Sequence, residues 1–164
     1  MTPVLRMSAI FGLLLSGLVV ADGHTGGADA ASDVQQGREM IREGRMEIIR
    51  SELHLTDEES SGFWPVYAAY RKETDAIQDR YAAMVAEYMR RYDEADLTDE
   101  YADELITTFL GIKRELLDVQ VKYLPGFRSV LPSLKVARLF QLENKINAEI
   151  DAQMALVVPL IESG

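Results

Sequence analysis

The chain has 164 residues and a formal net charge of −10, because 27 acidic side chains outnumber 17 basic ones. This length is enough for one domain with a modest core. The acidic balance argues against nucleic acid as a partner, since phosphate binding requires concentrated Lys and Arg. The sequence contains no cysteine, which excludes disulfides, thiolate metal sites, cysteine nucleophiles and lipoproteins acylated on an N-terminal cysteine.

Residues 1–21 are predicted to be a signal peptide. Arg6 precedes an apolar run of 15 residues, Met7–Ala21, which is shorter than the ~20 residues that a membrane-spanning helix needs. Val19-Val20-Ala21 supplies the small residues of a cleavage site. Cleavage removes the charge of Arg6, leaves a net charge of −11 and predicts no stable membrane insertion. An uncleaved N-terminal anchor is the alternative.

The rest of the chain is predicted to be all-helical. Residues 22–32 are rich in Gly, Ala and Asp and are expected to form a disordered tether. Residues 33–164 are predicted to form a single domain of about four helices in long, kinked, antiparallel hairpins, because apolar residues recur at steps of three and four. The first such stripe comprises Phe63, Tyr67, Tyr70, Thr74, Ile77, Tyr81, Met84, Tyr88 and Tyr92. Similar stripes lie within residues 102–123 and 139–157.

A repeated capping motif marks the predicted starts of the second and third helices. Leu55-Thr56-Asp57-Glu58 recurs as Leu97-Thr98-Asp99-Glu100, and each threonine can accept a backbone N–H from the helix that follows it. Thr56 and Glu59 also predict a capping box.

Proline residues lie within or beside the predicted helices. The first helix is expected from Asp33 to about Leu53 and the second from about Asp57 to Tyr92. Pro65 is expected to bend the second helix or delay its start, and Pro125-Gly126 to kink or break the third. Leu131-Pro132-Ser133 is predicted to open the fourth helix, with Pro132 or Ser133 near its N-terminus.

The sequence offers no catalytic or metal site. Its histidines are His24, in the predicted tether, and His54, at a helix end, and no His-Glu-x-x-His or Glu-x-x-His pattern is present. The acid-rich run from Asp93 to Glu104 lacks the residue order of a calcium loop. Glycine-rich phosphate loops and the Gly-x-Ser-x-Gly elbow are absent from the sequence. We therefore predict no enzyme activity, no cofactor and no bound metal.

The aromatic face of the second helix is a first candidate for a partner surface. Trp64, Tyr67 and Tyr70 lie on or beside it, and with nearby methionines they can grip apolar segments of another protein. The alternative is a structural core in which the phenols find hydrogen-bond partners. Candidate partners for these phenols are Arg138, Gln141, Lys145 and Glu73.

A basic strip is the second candidate. Residues 111–145 carry seven bases and three acids, a net charge of +4 in an acidic chain. Lys135, Arg138, Gln141 and Lys145 are its candidate contacts with an acidic or membrane partner. The alternative is that these bases pair with acidic neighbours inside the fold.

The sequence motifs resemble those of two groups of exported helical proteins. The repeated capping motif resembles the paired Leu-Thr-x-x-Gln motifs of the Spy/CpxP family, exported all-helical periplasmic proteins of Gram-negative bacteria, although Glu59 and Tyr101 replace the Gln. Most of the mature chain is similar to uncharacterised exported helical proteins of proteobacteria. The motifs shared with them are Phe63-Trp64-Pro65-x-Tyr67-x-x-Tyr70, Leu131-Pro132-x-x-Lys135-x-Ala137-Arg138-x-x-Gln141-x-Glu143-x-Lys145 and Val158-Pro159-Leu160.

The Spy/CpxP resemblance implies a periplasmic location, a cradle-shaped dimer of kinked hairpins, and ATP-independent chaperoning or envelope-stress sensing. The acidic charge is a departure, because the Spy cradle is basic. We therefore hypothesise a periplasmic binding protein that shields unfolded clients or modulates the envelope-stress response, with homodimerisation as an option. The alternative is a non-chaperone adaptor or structural protein that binds one defined envelope partner through the basic strip.

Overall fold

A computed structural model describes the backbone of residues 27–162 and the side chains of residues 39–162. All regular structure in this part of the chain is helical: α1 (Gly27–Glu52), α2 (Asp57–Asp93), α3 (Asp99–Val130) and α4 (Ser133–Val157). The predicted all-helical fold of about four helices is confirmed for these residues. The predicted signal peptide at residues 1–21 lies outside them.

The first helix begins earlier than the sequence indicated. α1 starts at Gly27 rather than at Asp33, so residues 27–32 of the predicted tether are helical. Three alanines in this stretch favour helix over coil. Residues 22–26 of the tether lie outside the described range. The helix is followed by His54 in the left-handed conformation, with φ of 50°, a backbone geometry that commonly ends helices.

Both capping threonines act as predicted. Thr56 Oγ1 accepts the backbone N–H of Glu59 at 3.2 Å, and the Glu59 carboxylate accepts the backbone N–H of Thr56 at 2.8 Å. This reciprocal pair is the predicted capping box. Thr98 Oγ1 accepts the backbone N–H of Tyr101 at 3.2 Å.

Neither internal proline ends its helix. α2 begins at Asp57 and runs through Pro65, and α3 continues through Pro125 to Val130. The expected delay at Pro65 and break at Pro125 are therefore not observed. A proline removes only one helical hydrogen bond, and the turn after Pro125 is held by Phe127, which is fully buried.

Packing groups the described residues into two compact units, each of which draws on α4. Unit 1 joins the described chain as far as His54 to Arg138–Glu149, and unit 2 joins Leu55–Ala137 to the segment from Ile150 onward. The sequence analysis predicted one domain over residues 33–164, and this division of α4 between two units was not anticipated.

Unit 2 is organised by an antiparallel pair of helices, α2 and α3. Phe63 packs against Phe127 with ring centroids 6.0 Å apart, whereas Tyr81, further along α2, packs near Phe109 at 6.3 Å. Contacts on α3 therefore move towards its N-terminus as those on α2 move towards its C-terminus. The predicted antiparallel hairpin is present in this unit.

Unit 1 pairs α1 with the middle of α4. Buried apolar side chains come from both helices: Ile48, Ile49, Leu53, Leu139, Leu142 and Ile146. Arg45 donates to Glu143 at 2.6 Å and to Asn147 at 2.8 Å. Nearer the end of α1, the carbonyl of Glu52 accepts from Arg138 Nε at 2.6 Å. These contacts again describe antiparallel helices.

Candidate functional site

The predicted aromatic partner surface is mostly core. Tyr67 is fully buried and Tyr70 is 3 % exposed. The Tyr67 ring stacks on Phe63 at 5.2 Å, and Tyr70 meets the Phe127 ring edge-on at 5.5 Å. Placing these two tyrosines on an open surface was wrong, because large rings of α2 fill the space against α3 and remove apolar area from water. The core alternative is the one observed.

Trp64 occupies an intermediate position. Its side chain is half-buried, and its ring meets the Phe63 ring edge-on at 5.0 Å. The indole Nε1 donates a hydrogen bond to Ser60 Oγ at 2.9 Å. Trp64 therefore covers the aromatic core and has a partner for its N–H within α2.

Two tyrosine hydroxyls have hydrogen-bond partners that differ from those expected. Tyr123 of α3 donates to Glu73 at 2.6 Å, and Tyr88 donates to the carbonyl of Pro159 at 2.7 Å. Glu73 does serve a phenol, but one on α3 rather than on the α2 stripe. The hydrogen bond from Lys122, which has the larger effect, and the hydrogen bond from Tyr123 hold the pKa of Glu73 below its usual value.

Four of the seven bases in the basic strip are paired within unit 1 or within unit 2. These ion pairs are Lys113–Asp151 at 3.6 Å, Lys122–Glu73 at 2.7 Å, Lys135–Glu59 at 2.5 Å and Arg138–Glu52 at 3.2 Å. The hydrogen bond from Lys135, followed by that from the Thr56 backbone, lowers the pKa of Glu59. Lys135 and Arg138, two of the predicted contact residues, are therefore ion-paired with neighbouring carboxylates.

The remaining members of the strip are exposed. Gln141 and Lys145 lie one turn apart on the exposed side of α4, and Arg114 and Arg128 are exposed on α3. Lys145, Arg114 and Arg128 form no ion pair with the described residues. These side chains, and not Lys135 or Arg138, are the available part of the strip.

An exposed apolar line on α3 is the most distinctive surface feature of unit 2. It consists of Ile106, Leu110, Leu117 and Val121, and we call it the α3 stripe. The four side chains are between 57 % and 62 % exposed. Their spacing of four, seven and four residues places them on one face of the helix, over a length of roughly 22 Å.

The α3 stripe is separate from the face that α3 turns towards the core. The buried residues of this helix are Ile112, Val119 and Phe127. At 3.6 residues per turn the stripe is centred roughly 130° around the helix from these residues. α3 is therefore apolar on two faces, of which one is covered by the fold and the other meets solvent.

Two features of potential importance were missed from the sequence. The α3 stripe repeats at helical spacing within residues 102–123, but only one apolar line was identified in that stretch. The buried pair Arg45 and Glu143, which are 1 % and 2 % exposed, also went unnoticed. The sequence does contain a signal for this pair: Arg45 lies four residues from Ile41 and four from Ile49, at a position of an apolar stripe.

Neither a metal site nor a membrane-spanning helix is found among the described residues. Among the described residues, no three or more His, Asp and Glu side chains come together in a way that could hold a metal ion. No helix in the described part of the chain combines the length and apolar character needed to cross a bilayer. No protein-family model matches the sequence, and comparisons with curated proteins and with solved structures return no match.

Proposed function

We propose that this protein is an exported, periplasmic helical binding protein that shields apolar segments of unfolded clients, or of envelope-stress components, through the α3 stripe. The observation that supports this proposal is the line of four large apolar side chains, each more than half exposed. Single exposed apolar residues are ordinary, whereas several large apolar side chains exposed on one helix face indicate an interaction surface. The resemblance of the capping motifs to those of the Spy/CpxP family favours clients over a small-molecule ligand.

The chemistry of the α3 stripe suits varied clients. Apolar contact is non-directional, so a ridge of Ile, Leu and Val side chains can accept many apolar sequences. The net charge of −10 favours solubility of the complexes that form.

Aggregation of a chemically denatured test enzyme provides the experiment. The naturally processed protein is expected to suppress light scattering at a few-fold molar excess. The double variant Leu110→Glu/Leu117→Glu is expected to lose most of this effect, because two carboxylates interrupt the apolar line. Retained helicity by circular dichroism would show that the loss is not unfolding.

Leu134→Glu is the matched control. Leu134 is 86 % exposed but lies on α4, outside the α3 stripe, so its replacement places one such carboxylate on an exposed leucine elsewhere. Full suppression by the Leu110→Glu/Leu117→Glu variant, or equal loss in the Leu134→Glu variant, would contradict the role of the α3 stripe.

The second candidate function is an adaptor that binds one defined envelope partner. It is favoured by the exposure of Gln141 and Lys145 on one face of α4. Co-purification of a single stoichiometric partner, lost on Lys145→Glu and kept on Leu110→Glu/Leu117→Glu, would support it. Capture of many different polypeptides, insensitive to Lys145→Glu, would contradict it.

A further inference from the structure

α1 lies on an apolar face in the middle of α4. Three apolar side chains are buried on each side of this contact: Ile48 and Ile49 of α1 with Leu53 just after it, and Leu139, Leu142 and Ile146 of α4. A charged pair is buried in the same unit, where Arg45 donates to Glu143 at 2.6 Å and to Asn147 at 2.8 Å. This face of α4 therefore combines apolar side chains with a carboxylate and an amide, and it suits a helix that presents a base.

Contacts within unit 2 hold α4 on both sides of this face. Before the face, Lys135 pairs with Glu59 of α2 at 2.5 Å. Beyond it, just after the end of α4, the carbonyl of Pro159 accepts a hydrogen bond from Tyr88 of α2 at 2.7 Å. Because α4 is one continuous helix from Ser133 to Val157, these contacts keep its middle in place when α1 leaves.

α1 is held by less buried apolar surface than the hairpin of unit 2. Residues 39–53 bury three apolar side chains, whereas the α2–α3 hairpin buries nine, of which five are aromatic. The buried ion pair adds little net stability, because the loss of water from both charges offsets their attraction. α1 also joins the rest of the described chain at one end, through residues 53–56. Segments with little buried apolar area open before the whole protein unfolds, so α1 is expected to leave α4 while the hairpin stays folded.

We propose that the middle of α4 is a second binding site, which takes an amphipathic helix of another protein in exchange for α1. Residues 45–53 define the pattern that such a helix presents: an arginine, isoleucines three and four positions later, and a leucine eight positions later. Arginine fits better than lysine, since two different nitrogens of its guanidinium reach Glu143 and Asn147. A helix without a base leaves Glu143 buried and uncompensated. This site is separate from the α3 stripe, and the inference does not rest on the proposed function.

Hydrogen exchange in the naturally processed protein measures the opening of α1. Amides of residues 45–52, corrected for their intrinsic rates, are expected to exchange at least about tenfold faster than the slowest amides of α2 and α3, because α1 opens without global unfolding. Amides of residues 139–146 are expected to remain more protected than those of α1, because α4 persists as a helix. Equal protection of α1 and the hairpin, or joint exchange of α1 and residues 139–146, would overturn the inference.

A fluorescently labelled synthetic peptide of residues 39–54 probes the site in the intact protein. Saturable binding is expected in fluorescence anisotropy. The Arg45→Met peptide is expected to bind at least about tenfold more weakly, because Glu143 is left without a counter-charge. The Arg50→Met peptide is the matched control, since the Arg50 side chain is 61 % exposed, and it is expected to bind like the unmodified peptide. Absence of binding, or equal weakening by the two substitutions, would count against the site.

The same substitution made in the protein is expected to have the opposite effect. Arg45→Met in the protein weakens its own α1 as a competitor and leaves Glu143 available, so the unmodified peptide is expected to bind roughly tenfold more tightly. Ile49→Ala removes part of a fully buried side chain without changing a charge, and it is expected to act in the same direction. It decides the question if the Arg45→Met protein loses helicity by circular dichroism. Unchanged or weaker peptide binding by the folded variants would contradict the exchange.

The Leu110→Glu/Leu117→Glu variant separates this site from the α3 stripe. It is expected to bind the peptide as tightly as the unmodified protein does, because its substitutions lie on α3. Loss of peptide binding in this variant would overturn the inference, since the peptide would then occupy the α3 stripe. Suppression of aggregation by the unmodified protein is a separate measurement, so either result leaves the proposed function to be judged by its own experiment.

Discussion

Three glycines in the α2–α3 hairpin differ in what an added methyl group would meet. A Cβ at Gly62 would lie 3.1 Å from Cγ1 of Val130, and one at Gly126 would lie 3.2 Å from Cγ1 of Val66. A Cβ at Gly111 would meet nothing within 4 Å. The first two glycines therefore allow the helices to approach closely, whereas the third only costs helix propensity.

This difference predicts that the same Gly→Ala substitution changes the free energy of unfolding differently at the two positions. Gly111→Ala is expected to raise the free energy of unfolding by about 0.5–1 kcal/mol, because alanine restricts the unfolded chain and fits freely. Gly126→Ala is expected to raise the free energy of unfolding by less, or to lower it. The added methyl group meets Val66, which is β-branched and cannot easily move aside because its χ1 angle is stiff. Urea titrations of the two variants and the unmodified protein measure both changes. Equal stabilisation by the two substitutions would contradict the close approach at Gly126.

The buried ion pair of unit 1 offers a second prediction for individual residues. The side chains of Arg45 and Glu143 are 2 % and 3 % exposed, with their charged atoms 2.6 Å apart. Arg45→Met or Glu143→Leu alone is expected to cost about 3–5 kcal/mol, because each leaves an uncompensated charge in the core. The double variant Arg45→Met/Glu143→Leu is expected to recover most of this loss.

Thermal or urea unfolding of these variants, arranged as a double-mutant cycle, measures the coupling. The exposed pair Arg50–Glu47 supplies the control, with side chains 61 % and 65 % exposed, and Arg50→Met is expected to cost less than about 1 kcal/mol. Additive losses in the cycle would show that Arg45 and Glu143 do not stabilise one another.

At the scale of helices, carboxylates on α2 and α3 accept from bases on facing or neighbouring turns. Arg80 donates to Glu115 and lowers its pKa, and Lys122 does the same to Glu73. Within α2, hydrogen bonds from Arg90 and then Arg91 hold the pKa of Glu87 at about 2. A carboxyl group whose pKa is lower in the folded state releases its proton more readily there than in the unfolded chain.

Acid should therefore weaken the α2–α3 hairpin. The stabilisation from these carboxylates is present above their unfolded pKa, about 4.3, and is lost as the pH falls through their folded values. Urea midpoints measured from pH 6 to pH 2 are expected to decline below that point. Glu73→Gln is expected to flatten the decline. Glu104→Gln removes a carboxylate that has no ion pair among the described residues, and an equal flattening by it would contradict the assignment.

Helix boundaries were predictable where a single local signal decides them. Thr56 and Thr98 were identified as caps because a cap needs only its own side chain and the next three residues. The prolines were a poorer guide to where helices begin and end. The cost of the one hydrogen bond that a proline removes is offset by packing against other helices, which the local sequence does not reveal. Burial of Phe127 just after Pro125 is such a case.

For the whole molecule, helical periodicity identified the class of fold but not which apolar faces would be covered. Tyr67 and Tyr70 belong to a stripe that is less apolar than the α3 stripe, because it contains phenol hydroxyls, yet these tyrosines are buried and the α3 stripe is exposed. That outcome depends on which helices pair, and the Arg45–Glu143 contact joins residues 98 positions apart. Charges at apolar positions were the signal that could have indicated this pairing.

The use of α4 by both units has a consequence for biosynthesis. α1 leaves the ribosome well before the residues that pack with it in unit 1, Arg138–Glu149, have been synthesised. Until then Ile48, Ile49 and Leu53 lack their native cover, and contacts so distant in sequence form slowly. Stalled or truncated nascent chains should therefore expose apolar side chains of α1 and be prone to aggregation.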